Sequence, residues 1–254
     1  MKVSIITIVY NNDNHIASCI ESVLEQEYEE IEHIIIDGGS TDDTLKVIKK
    51  YKDNLAYFIS ERDEGLYNAL NKGIRQATGD VVGILHSDDN FFNERSVTKI
   101  VNAFKEKEAD LVYAKGIFVD KGDINKVIRT YPSNPYKSSL IKYGWIPLHT
   151  TIFVKREIFD KYGLYREDFK IAGDYEISLR WFTNDTIKKH YLDKWLVKMR
   201  IGGKSTTPKF QKLKSAEDLQ IIKEYDLPGN FTLGFKILRK IPHYIIPRVK
   251  RPKL

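Results

Sequence analysis

A seven-residue segment rich in β-branched residues, Val3–Val9, most constrains how this chain can fold. Its apolar residues do not alternate regularly with polar ones, which is typical of a strand buried on both faces, as in a parallel sheet. Further strand-like segments follow at Ile31–Asp37, Leu55–Ile59, Val81–Leu85 and Asp110–Tyr113. A helical pattern of apolar residues separates each of them from the next. Strands and helices that alternate in this way predict an α/β fold with a parallel sheet.

The pattern changes after about residue 115. Gly116–Asp120 and Lys126–Thr130, joined by a Lys-Gly-Asp turn, predict a β-hairpin, and Asp174–Phe182 predicts a later helix. We therefore expect an α/β fold whose central sheet is mostly parallel and flanked by helices. One globular unit should cover residues 1–228, in two halves that meet near residue 115, and a C-terminal amphipathic helical segment should cover residues 229–254.

The composition excludes several classes of protein. The single cysteine, Cys19, rules out an intramolecular disulfide framework and a multi-cysteine zinc site. No apolar stretch approaches the ~20 residues that a membrane-spanning helix needs. The N-terminal residues have neither the long apolar region nor the small-residue cleavage site of a signal peptide. These features predict a cytoplasmic protein.

The net charge of +6 comes from the C-terminal end of the chain. From Phe235 to Leu254 there are seven basic residues and no acidic one, which leaves 34 basic and 35 acidic residues in the remainder. A nucleic-acid groove would need a basic body, so we expect no nucleic-acid partner. A neutral body with a basic terminus predicts a local electrostatic contact instead.

The same C-terminal segment has an apolar stripe along one helical face. The residues of the stripe are Phe231, Phe235, Leu238, Ile241, Ile245 and Val249. A basic amphipathic helix can lie on an anionic surface such as the inner face of the plasma membrane. It can equally pack on its own domain with solvated lysines, and the sequence leaves both alternatives open.

Polar residues follow each of the first four predicted strands, and three of these strand ends are rich in carboxylates. In open parallel sheets, ligands bind beyond the carboxyl ends of the strands. The acidic and polar residues at these ends are Tyr10, Asn11, Asp37, Asp63, Ser87, Asp88 and Asp89. Acidic clusters that converge on one edge of a sheet indicate a binding site there.

Two of these strand ends have both a functional and a structural interpretation. Asp88 and Asp89 directly follow an apolar strand, and hard oxygen ligands at such a place suit Mg²⁺ or Mn²⁺. Alternatively, the Ser-Asp-Asp segment caps a helix near Phe91. Asp37 can accept hydrogen bonds from a base or ribose, while the glycines after it admit a ligand. Alternatively, this segment is a tight turn in which Ser40 or a neighbour caps the next helix.

Five segments of the chain resemble the family 2 inverting glycosyltransferases with the GT-A fold, in the same order and at similar spacing. They are ITIVYNN, IIIDGGSTDDT, SERDEGLYNALNKGI, ILHSDDNF, and HTTIFVKREIFDKYG followed by IAGDYEISLRW. Together they span residues 3–182, about seven-tenths of the chain. Five segments in sequence are far more specific than any one of them alone.

The resemblance implies how the first strand ends would bind a nucleotide. Tyr10, with the backbone around Val9 and Asn11, matches the edge of the nucleoside pocket. Asp37 matches the aspartate that recognises the base, which is usually uracil in this family.

The resemblance also implies roles for four further donor-binding residues. Asp63 and Lys72 fall in the segment that reaches the base, ribose or diphosphate of the donor. Ser87 and Asp88 lie on the family's D-x-D motif. Asp88 would bind the Mg²⁺ or Mn²⁺ ion, with Asp89 as a second candidate ligand.

Two residues of the later segments match the reaction centre. Asp174 matches the acidic residue that acts as the general base in the family. His149 lies in a segment that lines the acceptor side in similar proteins. A structural histidine that caps a strand is the alternative for His149.

Three positions depart from the family pattern. His86 stands at the acidic first position of D-x-D, so metal binding would depend on Asp88. Gly173 stands where glutamate often precedes the base, which leaves Asp174 alone in that assignment. Leu70 stands where many members have arginine, so Lys72 or a group outside the motif would contact the diphosphate.

The resemblance implies transfer of a sugar from a UDP-linked donor to a hydroxyl of a saccharide acceptor, with inversion. Residues 1–115 would bind the nucleotide sugar and residues 116–228 the acceptor. The basic C-terminal segment suggests a lipid-linked acceptor, a peripheral membrane location and a role in cell-surface polysaccharide synthesis. The alternative function is a non-catalytic protein that binds a nucleotide sugar or a membrane surface on the same scaffold.

Overall fold

The N-terminal segment Val3–Val9 forms the strand β1, which lies inside a sheet between two parallel neighbours. The computed structural model describes residues 1–202 and 208–239. Ile5 and Ile6 point to opposite faces of the sheet, and both are fully buried. The prediction of a strand covered on both faces is therefore confirmed.

The described residues form a nine-stranded sheet. Its strands are β1 (Val3–Val9), β2 (Ile31–Asp37), β3 (Tyr57–Ser60), β4 (Val81–Ile84), β5 (Asn90–Phe91), β6 (Leu111–Val119), β7 (Val127–Tyr131), β8 (Phe153–Lys155) and β9 (Lys189–Arg200). Their order is β3-β2-β1-β4-β8-β6-β9-β5, and β7 pairs with β6.

Helices connect the strands and cover the sheet. They are α1 (Ile16–Leu24), α2 (Thr44–Lys49), α3 (Leu66–Gln76), α4 (Ser96–Lys107), α5 (Arg156–Tyr162), α6 (Gly173–Phe182), α7 (Pro208–Glu224) and α8 (Gly229–Leu238). Short 3₁₀ helices lie at Lys52–Asn54, Ser138–Tyr143 and His149–Thr151.

The sheet is parallel in its first half and mixed in its second. β3, β2, β1 and β4 are parallel, whereas β8 pairs antiparallel with both β4 and β6. The strand predicted at Asp110–Tyr113 therefore does not join β4, because β8 from later in the chain lies between them. The predicted hairpin forms from β6 and β7, and the division expected near residue 115 falls within β6.

Each face of the sheet has its own core. On one face, α3 packs against β1 and β2, and side chains of α3 and α6 share a core with Ile6 and Ile36. On the other face, side chains of α1 and α4 share a core with Val3 and Ile5 of β1, and Cys19 of α1 lies buried there as a free thiol. This two-sided covering leaves the ends of the strands as the places where side chains can meet a ligand.

The last described elements, α7 and α8, pack against each other, and α8 also contacts the 3₁₀ helix Ser138–Tyr143. The amphipathic segment predicted over residues 229–254 is thus described as α8 and Arg239, while residues 240–254 lie outside the described residues. Across residues 1–202 and 208–239, we find no helix with both the length and the apolar character to cross a membrane.

Candidate active site

The carboxyl ends of β1, β2, β3 and β4 meet at one edge of the sheet, and we call the loops that follow these strands the rim. The parallel register places Val9 beside Asp37 and Asp37 beside Ser60. It also places Ile6 beside Ile84 near the end of β4. The strand ends that are polar in the sequence are therefore neighbours in space.

Hydrogen bonds fasten the loops of the rim to one another. The backbone N–H of Asn11 donates to the Ser40 hydroxyl at 2.8 Å, and the Asn12 side chain donates to the Ser87 hydroxyl at 2.8 Å. Asn11 has a φ of 48°, a left-handed conformation that asparagine tolerates better than most residues. The rim is thus a bonded assembly of loops from β1, β2 and β4.

Asp37 is completely buried and uses its carboxylate inside its own loop. One oxygen accepts hydrogen bonds from the backbone N–H groups of Gly39 and Ser40 and from the Ser60 hydroxyl, at 3.0, 2.9 and 2.6 Å. The Ser40 hydroxyl donates to the other oxygen. The structure therefore places Asp37 beneath the rim, where it fixes the shape of the turn after β2.

Neither of the helix-capping alternatives holds. α2 begins at Thr44, after Asp43, so Ser40 and Thr41 do not cap it. Asn90 and Phe91 form the strand β5, and α4 begins only at Ser96. The Ser-Asp-Asp segment is therefore a loop of the rim and not the cap of a helix.

A polar pocket of about 200 Å³ opens at the rim. Four residues predicted to bind the donor, Tyr10, Asn11, Ser87 and Asp88, line this pocket. The other lining residues are Asn12, His15, Lys121, Arg200, Ile201 and Gly202. Two cationic side chains in this lining, Lys121 and Arg200, make the pocket suitable for an anionic ligand such as a diphosphate.

The structure separates the two predicted metal ligands. Asp88 lines the pocket, whereas Asp89 is 1% exposed and accepts a hydrogen bond from the backbone N–H of Arg200 at 3.3 Å. Burial and the nearby Asp88 charge raise the pKa of Asp89 well above its ordinary value. The Arg200 guanidinium donates to the Asp88 carbonyl oxygen at 2.6 Å and to the Asn90 side chain at 2.8 Å, which fixes the loop.

Asp63 and Lys72 lie together near Tyr10 and outside the lining of the polar pocket. The Lys72 ammonium is 2.8 Å from a carboxylate oxygen of Asp63 and 2.6 Å from one of Glu61. A Cβ atom on Gly38 would lie 2.8 Å from the other oxygen of Asp63 and 3.6 Å from the Tyr10 ring. The absence of a side chain at Gly38 therefore leaves Tyr10 and Asp63 side by side.

Asp174 lies in the first turn of α6, and Tyr67 of α3 determines its setting. The backbone N–H of Asp174 donates to the Tyr67 hydroxyl at 3.2 Å. A Cβ atom on Gly173 would lie 2.8 Å from the Tyr67 ring, so the glycine is required for this close approach. Tyr67 in turn stacks on Tyr165, with the ring centroids 5.6 Å apart.

Two histidines connect Asp174 to the rim. The Nε2 atoms of His86 and His149 are 2.8 Å apart, and Nδ1 of His149 is 3.5 Å from a carboxylate oxygen of Asp174. Both contacts are satisfied when His86 donates its proton to His149 and the Nδ1–H of His149 points at Asp174. His86 directly precedes Ser87 and Asp88, so this chain of contacts joins the predicted base to the predicted metal motif.

Lys214 of α7 supplies the main positive charge near Asp174. Burial alone would raise the pKa of Asp174, but Lys214, together with smaller contributions from His149 and Lys236, outweighs burial and holds the pKa below the ordinary value. Burial lowers the pKa of His149 to about 4 and also lowers that of His86. At neutral pH the carboxylate is therefore ionised and both imidazoles are neutral, as a proton acceptor at this position requires.

The other carboxylate oxygen of Asp174 is buried and has no hydrogen-bond partner among the described residues. Glu217 of α7 holds the segment before it by accepting backbone N–H groups of Lys170, Ile171 and Ala172 at 2.9 Å each. Buried polar atoms are nearly always paired in folded proteins, so an unpaired carboxylate oxygen on a well-held helix indicates a functional group.

Several residues of this site were not predicted as functional from the sequence: His86, Tyr67, Lys214, Lys121 and Arg200. His86 was noted only as a departure from the D-x-D motif, and its contact with His149 spans 63 positions of the chain. Lys214, Lys121 and Arg200 lie outside the five family-like segments, so no motif marked them. Leu70, another departure, is 2% exposed and belongs to the core below the rim.

Asp88 fits a divalent cation that takes most of its ligands from elsewhere. Within residues 1–202 and 208–239, no group of three or more His, Cys, Asp or Glu side chains could hold a metal ion. Mg²⁺ commonly binds through one or two carboxylates together with substrate phosphates and water, and Mn²⁺ accepts the same oxygen donors. The polar pocket beside Asp88 offers room for those additional ligands.

Solved structures share this arrangement of the chain. TarS residues 1–349 from S. aureus, in complex with UDP-GlcNAc, match with a TM-score of 0.70 at 21% identity, over 100% of this chain and 77% of that chain. The mannosyltransferase PcManGT from Pyrobaculum calidifontis, in complex with GDP-Man and Mn²⁺, matches with a TM-score of 0.65 at 18% identity, over 92% and 68%. The match covers 43% of the longer TarS chain. The fold is therefore the GT-A-like α/β fold of glycosyltransferases, as expected.

The sequence comparisons place the chain within that class. Residues 4–163 match the model of glycosyl transferase family 2. An uncharacterized glycosyltransferase of Mycobacterium tuberculosis (strain H37Rv) is 35% identical over 183 residues, which are 70% of this chain and 68% of that protein. The chain belongs to glycosyl transferase family 2, and it is a glycosyltransferase.

Proposed function

We propose that this glycosyltransferase moves a sugar from a UDP-linked donor to a hydroxyl of a saccharide acceptor, with inversion at the anomeric carbon. The observation that carries the proposal is the carboxylate of Asp174. It is ionised, lies in a partly buried setting, keeps one oxygen without a partner among the described residues, and connects through two histidines to the rim.

Asp174 would act as the general base. It accepts the proton of the acceptor hydroxyl while that oxygen forms a bond to the anomeric carbon. The bond from this carbon to the diphosphate oxygen breaks at the same time, and its electron pair leaves with the diphosphate. A single displacement without an enzyme nucleophile inverts the configuration.

The rim would bind the donor nucleotide. Tyr10 and Asn11, with the backbone at Val9, would border the nucleoside. Asp37 would act through the turn that it holds, while Asp63 would face the nucleoside beside Tyr10. The UDP-GlcNAc and UDP complexes of TarS support a UDP-linked donor for this chain.

Charged groups of the polar pocket would bind the diphosphate. Lys121 and Arg200 line the pocket, whereas Lys72 is already paired with two carboxylates and would organise its neighbours. Asp88, supported by Ser87 and by Asp89 beneath the loop, would hold Mg²⁺ or Mn²⁺. When bound, the cation would stabilise the negative charge that the diphosphate gains. The Mn²⁺ complex of PcManGT supports this choice of ion.

The acceptor would approach from the side of His149 and Asp174. A saccharide linked to a lipid fits the basic C-terminal segment, which has no acidic residue from Phe235 onward. This would place the enzyme on the inner face of the plasma membrane, in the synthesis of a cell-surface polysaccharide. Residues 1–115 would then serve the donor and residues 116–228 the acceptor.

The test replaces Asp174 with asparagine, which keeps the shape of the side chain and removes its basicity. We expect nucleotide release from a panel of UDP-sugars to fall by at least about a hundredfold, while the affinity for UDP stays within about twofold. Asp185→Asn, at an exposed acid beyond the end of α6, is the matched control and should behave as the parent. Turnover of Asp174→Asn within about tenfold of the parent would refute the assignment of the base.

The stereochemistry has its own measurement. Proton NMR of the product shows whether the new glycosidic bond has the configuration opposite to that of the donor. A product with the donor's configuration would contradict the single displacement, even if Asp174→Asn is inactive.

A further inference from the structure

The last described helix, α8, buries polar residues and exposes apolar ones, which is unexpected for a helix that only completes the core. Thr232 and Lys236, one turn apart, are 0% and 4% exposed. Phe231, Phe235 and Leu238 are 48%, 40% and 56% exposed. A helix that packs for the hydrophobic effect alone buries its apolar stripe and leaves its polar side in water. α8 does the reverse for most of its apolar residues, although Leu233 is partly buried against the core.

Specific contacts hold the polar side of α8 against the domain. The Lys236 ammonium is 2.6 Å from a carboxylate oxygen of Asp218 on α7 and 3.1 Å from the centroid of the Tyr175 ring on α6. The Thr232 hydroxyl donates to the Lys142 carbonyl oxygen at 2.8 Å. If α8 turned its apolar side inward, Asp218 would remain buried without its partner, which is strongly unfavourable. The outward direction of the stripe is therefore built into the fold.

The exposed side of α8 continues onto the 3₁₀ helix Ser138–Tyr143. The Tyr143 ring centroid lies 5.8 Å from that of Phe231 and 5.3 Å from that of Phe235, and the two phenylalanine rings are 4.6 Å apart. We define the apolar patch as these exposed residues: Tyr143, Phe231, Phe235, Ile237 and Leu238. A continuous aromatic surface of this kind on a protein marks an interaction site.

The two segments that form the apolar patch carry only positive charge. Residues 137–143 and 229–239 contain no acidic residue, and Lys137 and Lys142 are both exposed. The sequence beyond them adds five basic residues and no acidic one over residues 240–254. Aromatic rings bordered by exposed lysines match the chemistry of an anionic bilayer, in which rings enter the headgroup level and cations meet lipid phosphates.

We infer that the apolar patch docks onto an anionic lipid surface, with the rings of Tyr143, Phe231 and Phe235 inserted among the headgroups. The inference rests on the proposed function in one respect: a lipid-linked acceptor gives the docking its purpose. Lys236 contacts Tyr175, the residue after Asp174, so the docked helix lies behind the helix that carries the proposed base. A lipid-linked acceptor would then be presented close to α6.

The experiment measures sedimentation of the full chain with phosphatidylcholine vesicles that contain or lack phosphatidylglycerol, without nucleotide or acceptor. We expect binding to the anionic vesicles that weakens as salt is added. The double variant Phe231→Ser/Phe235→Ser should bind at least about tenfold more weakly. Leu24→Ser, at a leucine of α1 that is 43% exposed, is the matched control and should bind as the parent.

A second variant reports on insertion directly and does not remove the rings. In Phe235→Trp, the tryptophan emission should move to shorter wavelength with anionic vesicles and be quenched by brominated lipids.

Equal vesicle binding by the parent and the double variant would overturn the inference. So would a parent chain that ignores vesicles and forms dimers that the double variant does not form. Because no step of this assay needs catalysis, its failure is distinguishable from a failure of the proposed transfer reaction.

Discussion

Glu32 and Asp174 are carboxylates withdrawn from water in two regions of the molecule, and their surroundings differ in kind. Glu32 lies at the amino ends of the parallel strands. It accepts hydrogen bonds from the side chain of Ser4 and from Thr78 and Gly79 and pairs with Lys2 at 2.5 Å. These partners outweigh the effect of burial and lower the pKa of Glu32 to about 2.

Asp174 receives its stabilisation at a distance. Lys214 lowers its pKa by charge, no described group donates to one of its oxygens, and His149 stands 3.5 Å from the other. A carboxylate whose oxygens all accept hydrogen bonds stabilises the loops that donate them. A carboxylate that is ionised and has one oxygen without a hydrogen-bond donor can accept a proton from a substrate. Asp37, which is saturated within its loop, belongs with Glu32 in this comparison, and Asp88, which lines the polar pocket, belongs with Asp174.

Among the further variants that test this comparison, the largest expected effect concerns Asp88. In Asp88→Asn, the pocket loses its negatively charged ligand, so Mn²⁺-dependent binding of UDP and turnover should each fall by about a hundredfold. Titration calorimetry with UDP, with and without Mn²⁺, measures the binding. Asp53→Asn, at an exposed acid in the 3₁₀ helix Lys52–Asn54, serves as the control. An unchanged response to Mn²⁺ would show that Asp88 has a structural role, as Glu32 and Asp37 have.

Gly173→Ala tests how closely the setting of Asp174 is defined. The new Cβ would lie 2.8 Å from the Tyr67 ring, so Tyr67 or the start of α6 must shift. We expect kcat to fall between about ten- and a hundredfold with little change in the KM for the donor, because small displacements of a catalytic group are costly. The free energy of unfolding should fall by about 1–3 kcal/mol.

The control for this glycine is another helical glycine. Gly234→Ala in α8 meets no atom within 4 Å and should leave both kcat and stability near those of the parent. If Gly173→Ala raises the donor KM and spares kcat, the Tyr67 contact serves donor binding and not the position of the base.

A smaller effect is expected from Lys214→Met. Removal of the charge that lowers the pKa of Asp174 should raise that pKa, so Asp174 becomes protonated at a higher pH. The acidic limb of the kcat profile should therefore move to higher pH, while turnover well above the limb changes little. Lys212→Met, at an exposed lysine of the same helix, is the control. An unmoved limb would show that another group governs it.

Local patterns predicted the framework of the fold but not which side chains meet. Val3–Val9 and Ile31–Asp37 form strands with the predicted bounds, because a run of buried β-branched residues is a local signal. The contact of His86 with His149 depends on how β4 and a later 3₁₀ helix pack, and no spacing encodes it. The helix predicted from Phe91 begins later, at Ser96, since Phe91 belongs to β5.

The orientation of α8 could not be predicted from local sequence patterns either. Helical periodicity placed Phe231, Phe235 and Leu238 on one face, and the structure agrees. The pattern could not tell which face would be buried, because that depends on Asp218 of α7, which offers Lys236 a partner inside the domain. Sequence periodicity shows which residues share one side of a helix, and contacts with the rest of the fold determine whether that side is buried or exposed.

The smallest expected effect on activity comes from replacing Glu32, whose carboxylate oxygens are fully hydrogen-bonded. The folded-state pKa of Glu32 is about 2 against an ordinary 4.5, so its stabilisation is fully present above pH 4.5 and is lost as the pH falls toward 2. Glu32→Gln should therefore lower the free energy of unfolding at neutral pH by about 3 kcal/mol, and the difference from the parent should vanish in acid. Denaturant melts at several pH values measure it, with Glu29→Gln, at an exposed neighbour, as the control.

Folded Glu32→Gln should retain kcat, since the bonds it loses lie at the opposite edge of the sheet from Asp174. A loss of kcat without a loss of stability would mean that saturation does not separate structural from catalytic carboxylates in this fold.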